Sequence, residues 1–265
     1  MVNYPGCKIN IGLNITGKRD DGFHNLESVF YPLNLSDILE IIPSEEFNFT
    51  CSGIPIPGTI EDNIIFKAYE LFKNLYDIPP VKIHLHKTVP MGAGLGGGSA
   101  NGAATILMLN DLFGLNLSTH LLEAKADELG SDCPFFIQQK PAFVSGKGED
   151  IFPIKLNLKG YYIKLIKPKI HISTKTAFEN IQFSSAGQLK NLEKLPISDW
   201  KAKVNNDFES SIFPKFPEIA SLKKQLYKEG AVYASLTGTG STVYGLFINE
   251  PQSTETDNYE WISKI

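Results

Sequence analysis

The chain is 265 residues long, 42% hydrophobic and 20% charged, with a formal net charge of −4. That length suits one large domain or two ordinary ones with a substantial core, and the slight acidity argues against an electrostatic grip on nucleic acid. Three widely spaced cysteines, Cys7, Cys51 and Cys133, form no C-x-x-C pair, so a reducing cytoplasm is expected and neither a disulfide framework nor a zinc site is. The opening "MVNYPGCKIN" has no charged-then-apolar leader pattern, and no apolar run is long enough to span a bilayer.

In chain order, "CKINIGLNI" alternates, with Cys7, Ile9, Ile11, Leu13 and Ile15 on one face and Lys8, Asn10, Gly12 and Asn14 on the other. The pattern predicts a strand with one buried side. "GKRDDGFHN" reads as a turn-rich connection, and "DILEII" and "FNFTC" as strands. "EDNIIFKAYELFKNLY" sets Ile65, Ala68, Phe72 and Leu75 at helical spacing behind a cap at Asp62 or Asn63. "VKIHLHKTV" is an alternating strand that runs straight into a glycine-rich loop. After the loop, "SANGAATILMLNDLF" is apolar almost all round and predicts a buried helix. "STHLLEAKADELG" predicts a second helix, capped by Ser118 and stopped at Gly130. "PAFVSGKGEDIFPI" predicts a hairpin around Gly146 and Gly148, and the polar break "KLNLKG" sets a domain boundary, 1–157 and 158–265.

The second part opens with the strand "YYIKLI" and the loop-helix segment "HISTKTAFENI", followed by a helical region from Ile197 to Phe213. "PEIASLKKQLYKEG" aligns Ile219, Leu222 and Leu226 on one stripe and ends at Gly230; "VYASLTGTGSTVYGLFI" is strand, glycine turn, strand. Strands and helices alternate irregularly, which favours an α+β fold over a doubly wound sheet.

The loop "PMGAGLGGGSANGAAT" holds five glycines in seven positions: Gly92, Gly94, Gly96, Gly97 and Gly98. A strand feeding such a loop at the start of a helix is a phosphate cradle, because bare backbone lets several N–H groups converge on anionic oxygens. A tight turn alone explains one or two of these glycines, not five. The nucleoside-triphosphatase loop is ruled out because Ser99 and Ala100, not Lys and Ser/Thr, follow Gly98. The dinucleotide pattern G-x-G-x-x-G is met by Gly92, Gly94 and Gly97. It also needs a following strand with an acidic end, and a second helix arrives instead.

This loop resembles the P-x-x-x-G-L-G-x-G-S/A-A motif of the GHMP kinases, a family named for galactose, homoserine, mevalonate and phosphomevalonate. "CKINIGLNI" and "LTGTGSTVYGLF" resemble the family's N-terminal strand motif and C-terminal glycine motif, so the likeness spans nearly the whole chain. Further, "KINIGLNITGKRDDGFHNLESVF", "GSDCPFF" and "NNDFE" are similar to the branch acting on a cytidine-diphosphate-linked methylerythritol in non-mevalonate isoprenoid synthesis. The resemblance implies a two-domain α+β fold, with a ribosomal-protein-like N-terminal domain, a ferredoxin-like C-terminal domain and substrates in the cleft. It also implies ATP-dependent phosphorylation of the substrate's 2-hydroxyl, with Asp132 taking or orienting the hydroxyl proton and Lys8 offsetting charge on the migrating group.

By the same likeness Asn10 lines the cleft, Phe23 stacks on the cytosine, His24 bonds its polar edge and Phe178 closes its other side. Thr174, Gly238 and Gly240 complete the substrate contacts. Thr174 is the loosest transfer, because "KIHISTKTAF" departs from the commoner Pro-containing version and a helix cap at Ser173 or Thr174 is equally consistent. ATP falls to Pro90, Gly92, Gly94, Leu95, Gly96, Gly97, Gly98, Ser99 and Ala100, with Asn63 near the adenine. Mg2+ is expected from the chemistry. No dense carboxylate cluster is seen for it, and Ser99 is the one candidate ligand. Rival readings are a family member acting on homoserine or mevalonate, a dinucleotide-binding oxidoreductase, and an RNA-binding module. Oligomeric state is not encoded in any motif found.

Overall fold

The computed structural model describes residues 1–179, 181–254 and 256–265. Its elements in chain order begin with β1 (Val2–Asn3), β2 (Gly6–Lys18), β3 (His24–Ser36), β4 (Ile38–Pro43), β5 (Asn48–Gly53) and α1 (Ile64–Tyr76). Next come β6 (Val81–Lys87), α2 (Gly97–Leu112), α3 (Thr119–Asp127), α4 (Phe135–Gln138), β7 (Ala142–Ser145), β8 (Asp150–Pro153) and β9 (Tyr162–Lys167). The chain closes with α5 (Thr174–Phe178), α6 (Ile197–Lys203), α7 (Phe208–Ile212), α8 (Pro217–Lys228), β10 (Tyr233–Leu236), β11 (Val243–Phe247) and β12 (Tyr259–Lys264). Among the described residues, no helix is long and apolar enough to cross a membrane.

Packing divides the chain into two units made of interleaved segments. One comprises Met1–Lys8, Pro32–Met91 and Gly96–Lys140; the other comprises Ile9–Tyr31, Gly92–Leu95 and Pro141–Ile265. A single cut near residue 158 does not follow this division, because most of β2 and part of β3 pack with the later segments.

In the first unit the sheet order is β1-β4-β6-β5, antiparallel between β4 and β6 and parallel between β5 and β6. The alternation read in "VKIHLHK" holds: Val81, Ile83 and Leu85 are buried while Lys82 faces out. They pack with Leu39, Ile41, Tyr69, Phe72, Ile106 and Leu109 in one core. Each such side chain contributes roughly 1.5–3 kcal/mol by leaving water. Asn63 caps α1, its Oδ1 accepting from the N–H of Ile65 at 2.9 Å. Helix α2 is buried nearly all round, as its composition requires. Ser118 caps α3 as expected, but the helix ends at Asp127 rather than at Gly130. Leu129 and Gly130 close shorter turns onto Ala126 and Asp127 there.

The second unit holds an antiparallel sheet, β10-β11-β9-β12, against which α8 lays Ile219 and Leu226. The hairpin of β7 and β8 turns at Gly146 and Gly148, both at positive φ. Leu13 and Ile15 of β2 join the core of this unit with Ile166, Phe208 and Leu236.

Two further expectations are corrected. Strand β2 is buried on both faces, with Lys8, Asn10 and Asn14 between 1% and 3% exposed. A polar face buried this deeply requires partners, and they are described below. The helical region from Ile197 to Phe213 is broken between α6 and α7. Residues 205–207 leave the helix to pair with β2. Leu13 N–H donates to Asn205 O, Asp207 N–H donates to Leu13 O, and the Asp207 carboxylate accepts from Ile15 N–H and Asn14 Nδ2. Sheet-like bonding has outcompeted the local helical preference. The structure adds β3, a strand that runs through Pro32. It also adds β12, an edge strand whose residues are only half buried, so that no clean alternation marks it in the sequence.

Candidate active site

Strand β6 delivers the chain to the glycine loop, and three alternate glycines there, Gly92, Gly94 and Gly96, have φ of 58°, 74° and 68°. Left-handed glycines at alternate positions are the backbone pattern found in anion-binding nests. Gly96 is the N-cap of α2 and supplies no side chain to bond the first turn. The first intrahelical bond is Ala100 N–H to Gly96 O at 2.9 Å, so the N–H groups of the preceding turn have no helical partner. No acidic side chain occupies that turn. The positive end of a 16-residue helix is thus open to a phosphate.

The glycines serve different ends. A Cβ at Gly94 would lie 2.0 Å from Thr237 O, and one at Gly96 would lie 2.9 Å from the Phe136 ring and 3.1 Å from Lys8 Cε. Gly98 is the exception, since a Cβ there meets nothing within 4 Å and its φ is not in the left-handed region. Internal packing gives no reason for glycine at this exposed position. Gly98→Ala is therefore expected to hold or raise Tm, by up to about 1 kcal/mol of helix propensity. It should at the same time raise KM for ATP at least about tenfold. An unchanged KM for ATP would remove Gly98 from the phosphate path.

Lys8 lies directly beneath Gly96, and its Nζ is 3.4 Å from Asp132 Oδ2. The lysine side chain is 4% exposed and the aspartate 33%, so the cation is shut away from water while part of the carboxylate side chain reaches solvent. Residues 124 positions apart in sequence are brought together at the mouth of α2. Of the remaining loop residues, Pro90, Leu95 and Ala100 are buried, which leaves only their backbone for a ligand; Gly97 and Ser99 lie in the first turn of α2. The cap described above occupies the Asn63 side-chain oxygen.

In the second unit the rings of His24 and Phe178 stack at 4.5 Å and 23°, while Phe23 is 59% exposed. Burial and the nearby Lys18 lower the His24 pKa, which favours the neutral ring. Such a ring both donates and accepts hydrogen bonds. Phe183, a residue without any motif, is 6.0 Å from His24, 54% exposed, and lines a cavity of about 340 Å3 together with Asp207 and Ser210. Thr174 is exposed and opens α5, but Ser173 is the cap, its Oγ accepting from Thr176 N–H at 3.0 Å.

Asn10 is held tightly. Its N–H donates to Thr237 Oγ1 at 3.0 Å, its Nδ2 donates to Ser28 Oγ at 2.9 Å, and Tyr244 OH donates to its carbonyl at 2.8 Å. Thr237 Oγ1 is 3.0 Å from Gly94 O, which ties the turn of Gly238 and Gly240 to the glycine loop. Asn206 braces that turn from behind, donating to Leu236 O and Gly238 O. The "NND" segment is thus a brace for β2 and for the second glycine turn.

A glycine nest on a helix N-terminus beside a lysine–carboxylate pair suits phosphoryl transfer to a small molecule. The chain belongs to the GHMP kinase family: the GHMP kinases N terminal domain matches residues 63–140 and the GHMP kinases C terminal domain matches residues 188–256. It is 44% identical to the 4-diphosphocytidyl-2-C-methyl-D-erythritol kinase of Parabacteroides distasonis over the full length of both chains. It is 48% identical to the enzyme of that name from Bacteroides thetaiotaomicron, covering 97% of this chain and 96% of the relative. A crystal structure of 4-(cytidine 5'-diphospho)-2C-methyl-D-erythritol kinase superposes with a TM-score of 0.81 at 27% identity, over 93% of this chain and 90% of that one. Homoserine kinase from Cytophaga hutchinsonii shares the fold alone, with a TM-score of 0.66 at 16% identity over 98% of this chain and 95% of that one.

Proposed function

We propose that this chain transfers the γ-phosphoryl group of ATP to the 2-hydroxyl of 4-diphosphocytidyl-2-C-methyl-D-erythritol. The observation that carries the reading is the Lys8–Asp132 pair beneath Gly96 at the open end of α2. Full-length relatives bearing that enzyme's name support the choice of acceptor.

Phosphoryl transfer asks a protein for positioning and charge stabilisation more than for covalent chemistry. The loop N–H groups and the α2 terminus hold the triphosphate. Asp132 orients the attacking hydroxyl and receives its proton, while Lys8 offsets negative charge as it shifts between oxygens. His24, Phe178 and the exposed Phe23 form the cytosine site, with one ring edge for polarity and aromatic faces for stacking. Gly238, Gly240, Asn10 and Thr174 complete the substrate side.

Mg2+ would come with ATP, held chiefly by phosphate oxygens. The Ser99 hydroxyl is the candidate protein ligand, and no group of three metal-ligating side chains occurs among the described residues. Three unpaired thiols suit a reducing, cytoplasmic setting.

The test is incubation with ATP, Mg2+ and a panel of alcohols, read by mass spectrometry. The cytidine-diphosphate-linked polyol should be phosphorylated, with inhibition by free CDP. Equal or better phosphorylation of homoserine or mevalonate, with no inhibition by CDP, would overturn the assignment.

A further inference from the structure

A second lysine–aspartate pair lies under the glycine loop, one residue along from the first. A Cβ at Gly97 would come within 3.2 Å of Lys87 Nζ, as one at Gly96 would approach Lys8. Lys87 Nζ donates to Asp37 Oδ2, and the two side chains are 3% and 0% exposed. Asp37 follows β3 directly and its other oxygen, Oδ1, accepts from Thr88 N–H at 2.7 Å and Val89 N–H at 2.8 Å. One carboxylate therefore grips three consecutive residues, Lys87 to Val89, at the point where β6 ends and the glycine loop begins. Val89 in turn packs under Gly97, where a Cβ would meet its Cγ1 at 2.9 Å.

The surroundings are dry. Cys7, in the same pocket of charge, has its thiol pushed up to about 12 by burial and by the Asp37 carboxylate. Burial pulls Lys87 below the usual lysine range, and Asp37 opposes that pull. A buried ion pair is a poor source of net stability, since apolar residues of equal volume would do as well or better. A cation under a helix N-terminus is also unfavourable toward the helix dipole. Both penalties are accepted at the one place where an anion is to be received.

We propose that Asp37 is a positioning residue for ATP. It fixes the exit of β6 and seats Lys87 beneath the first turn of α2, so that the loop N–H groups converge before nucleotide arrives. The inference rests on the reading of the glycine loop as the ATP site. Asp37→Asn keeps an acceptor for the two N–H groups and removes the charge that holds Lys87. It should raise KM for ATP about tenfold while KM for the cytidine-linked alcohol stays within about twofold. A role confined to stability would lower Tm and the active fraction and leave both KM values alone. Should Asp37→Asn not fold, the double variant Asp37→Asn/Lys87→Met leaves no unpaired buried charge, and the same separation of KM values is read there. An unchanged KM for ATP in the folded variant overturns the proposal. Calorimetric titration of the wild-type protein with ATP separates the two failures, because a wild type that does not bind ATP defeats the loop reading itself.

Discussion

Replacing Asp132 by Asn should lower kcat by about 10²–10⁴-fold, the range contributed by a positioned general base. ATP binding by calorimetry should survive, since the N–H groups proposed to hold the phosphates belong to the loop and α2. The argument is geometric. The carboxylate is one-third exposed, whereas its partner Lys8 is nearly inaccessible. The exposed member of such a pair is the one that meets a substrate hydroxyl. Asparagine retains shape and one acceptor oxygen, so loss of turnover in a protein with intact ATP affinity isolates the missing charge.

Lys8→Met should lower kcat by a comparable factor, and the double variant should fall far short of the product of the two losses, as expected of groups acting as a unit. Asp132→Asn with undiminished kcat would eliminate the carboxylate from the reaction. Full multiplication of the two defects would instead show that the pair does not act together.

Gly94→Ala should be the most damaging single-methyl change in the loop. The added Cβ would stand 2.0 Å from a backbone oxygen, Thr237 O, and 2.9 Å from its carbon. No side-chain rotation relieves a clash with main chain. The left-handed φ of 74° adds about 1–2 kcal/mol for any residue with a Cβ. Together with displacement of the Thr237 turn, a loss of roughly 2–5 kcal/mol is expected. At about 2–4 °C per kcal/mol for a chain of this size, Tm should fall by roughly 4–20 °C. Activity should fall further than folded fraction, because Thr237 is also bonded to Asn10. A melting temperature within about 2 °C of wild type would mean that the two glycine turns separate at little cost. The contrast with Gly98→Ala is informative: one glycine is required by the protein's own backbone, and the other is assigned by the proposed function to an approaching phosphate.

The glycine loop, the strand before it and the helix after it are readable in one dimension, because conformation there is dictated locally by missing side chains and by a 16-residue apolar stretch. Lys8 was readable as a polar residue on an alternating strand, but its burial was not. Alternation indicates which face a residue takes and says nothing about whether that face is later covered. Asp132 offered only a turn-like "GSDCP" until the family pattern singled it out. Phe183 and Asp37 left no trace. One is a lone aromatic in a polar loop. The other sits between two strands, where an aspartate ordinarily makes a turn. Their placement beside His24 and against Lys87 depends on contacts spanning 159 and 50 residues. The break between α6 and α7 was hidden for the same reason, since the competing partner is β2, almost 200 positions earlier.

The interleaving of the two packing units has a consequence for anyone dissecting the molecule. A fragment starting at residue 158 would lack Leu13 and Ile15, which complete the core around Ile166 and Leu236. It would also leave Asp207 without the amides it binds. The complementary fragment would carry those aliphatic side chains with nothing to shield them. Separately produced halves would be sticky and poorly structured, and would have to be supplied together, so that each can template the other.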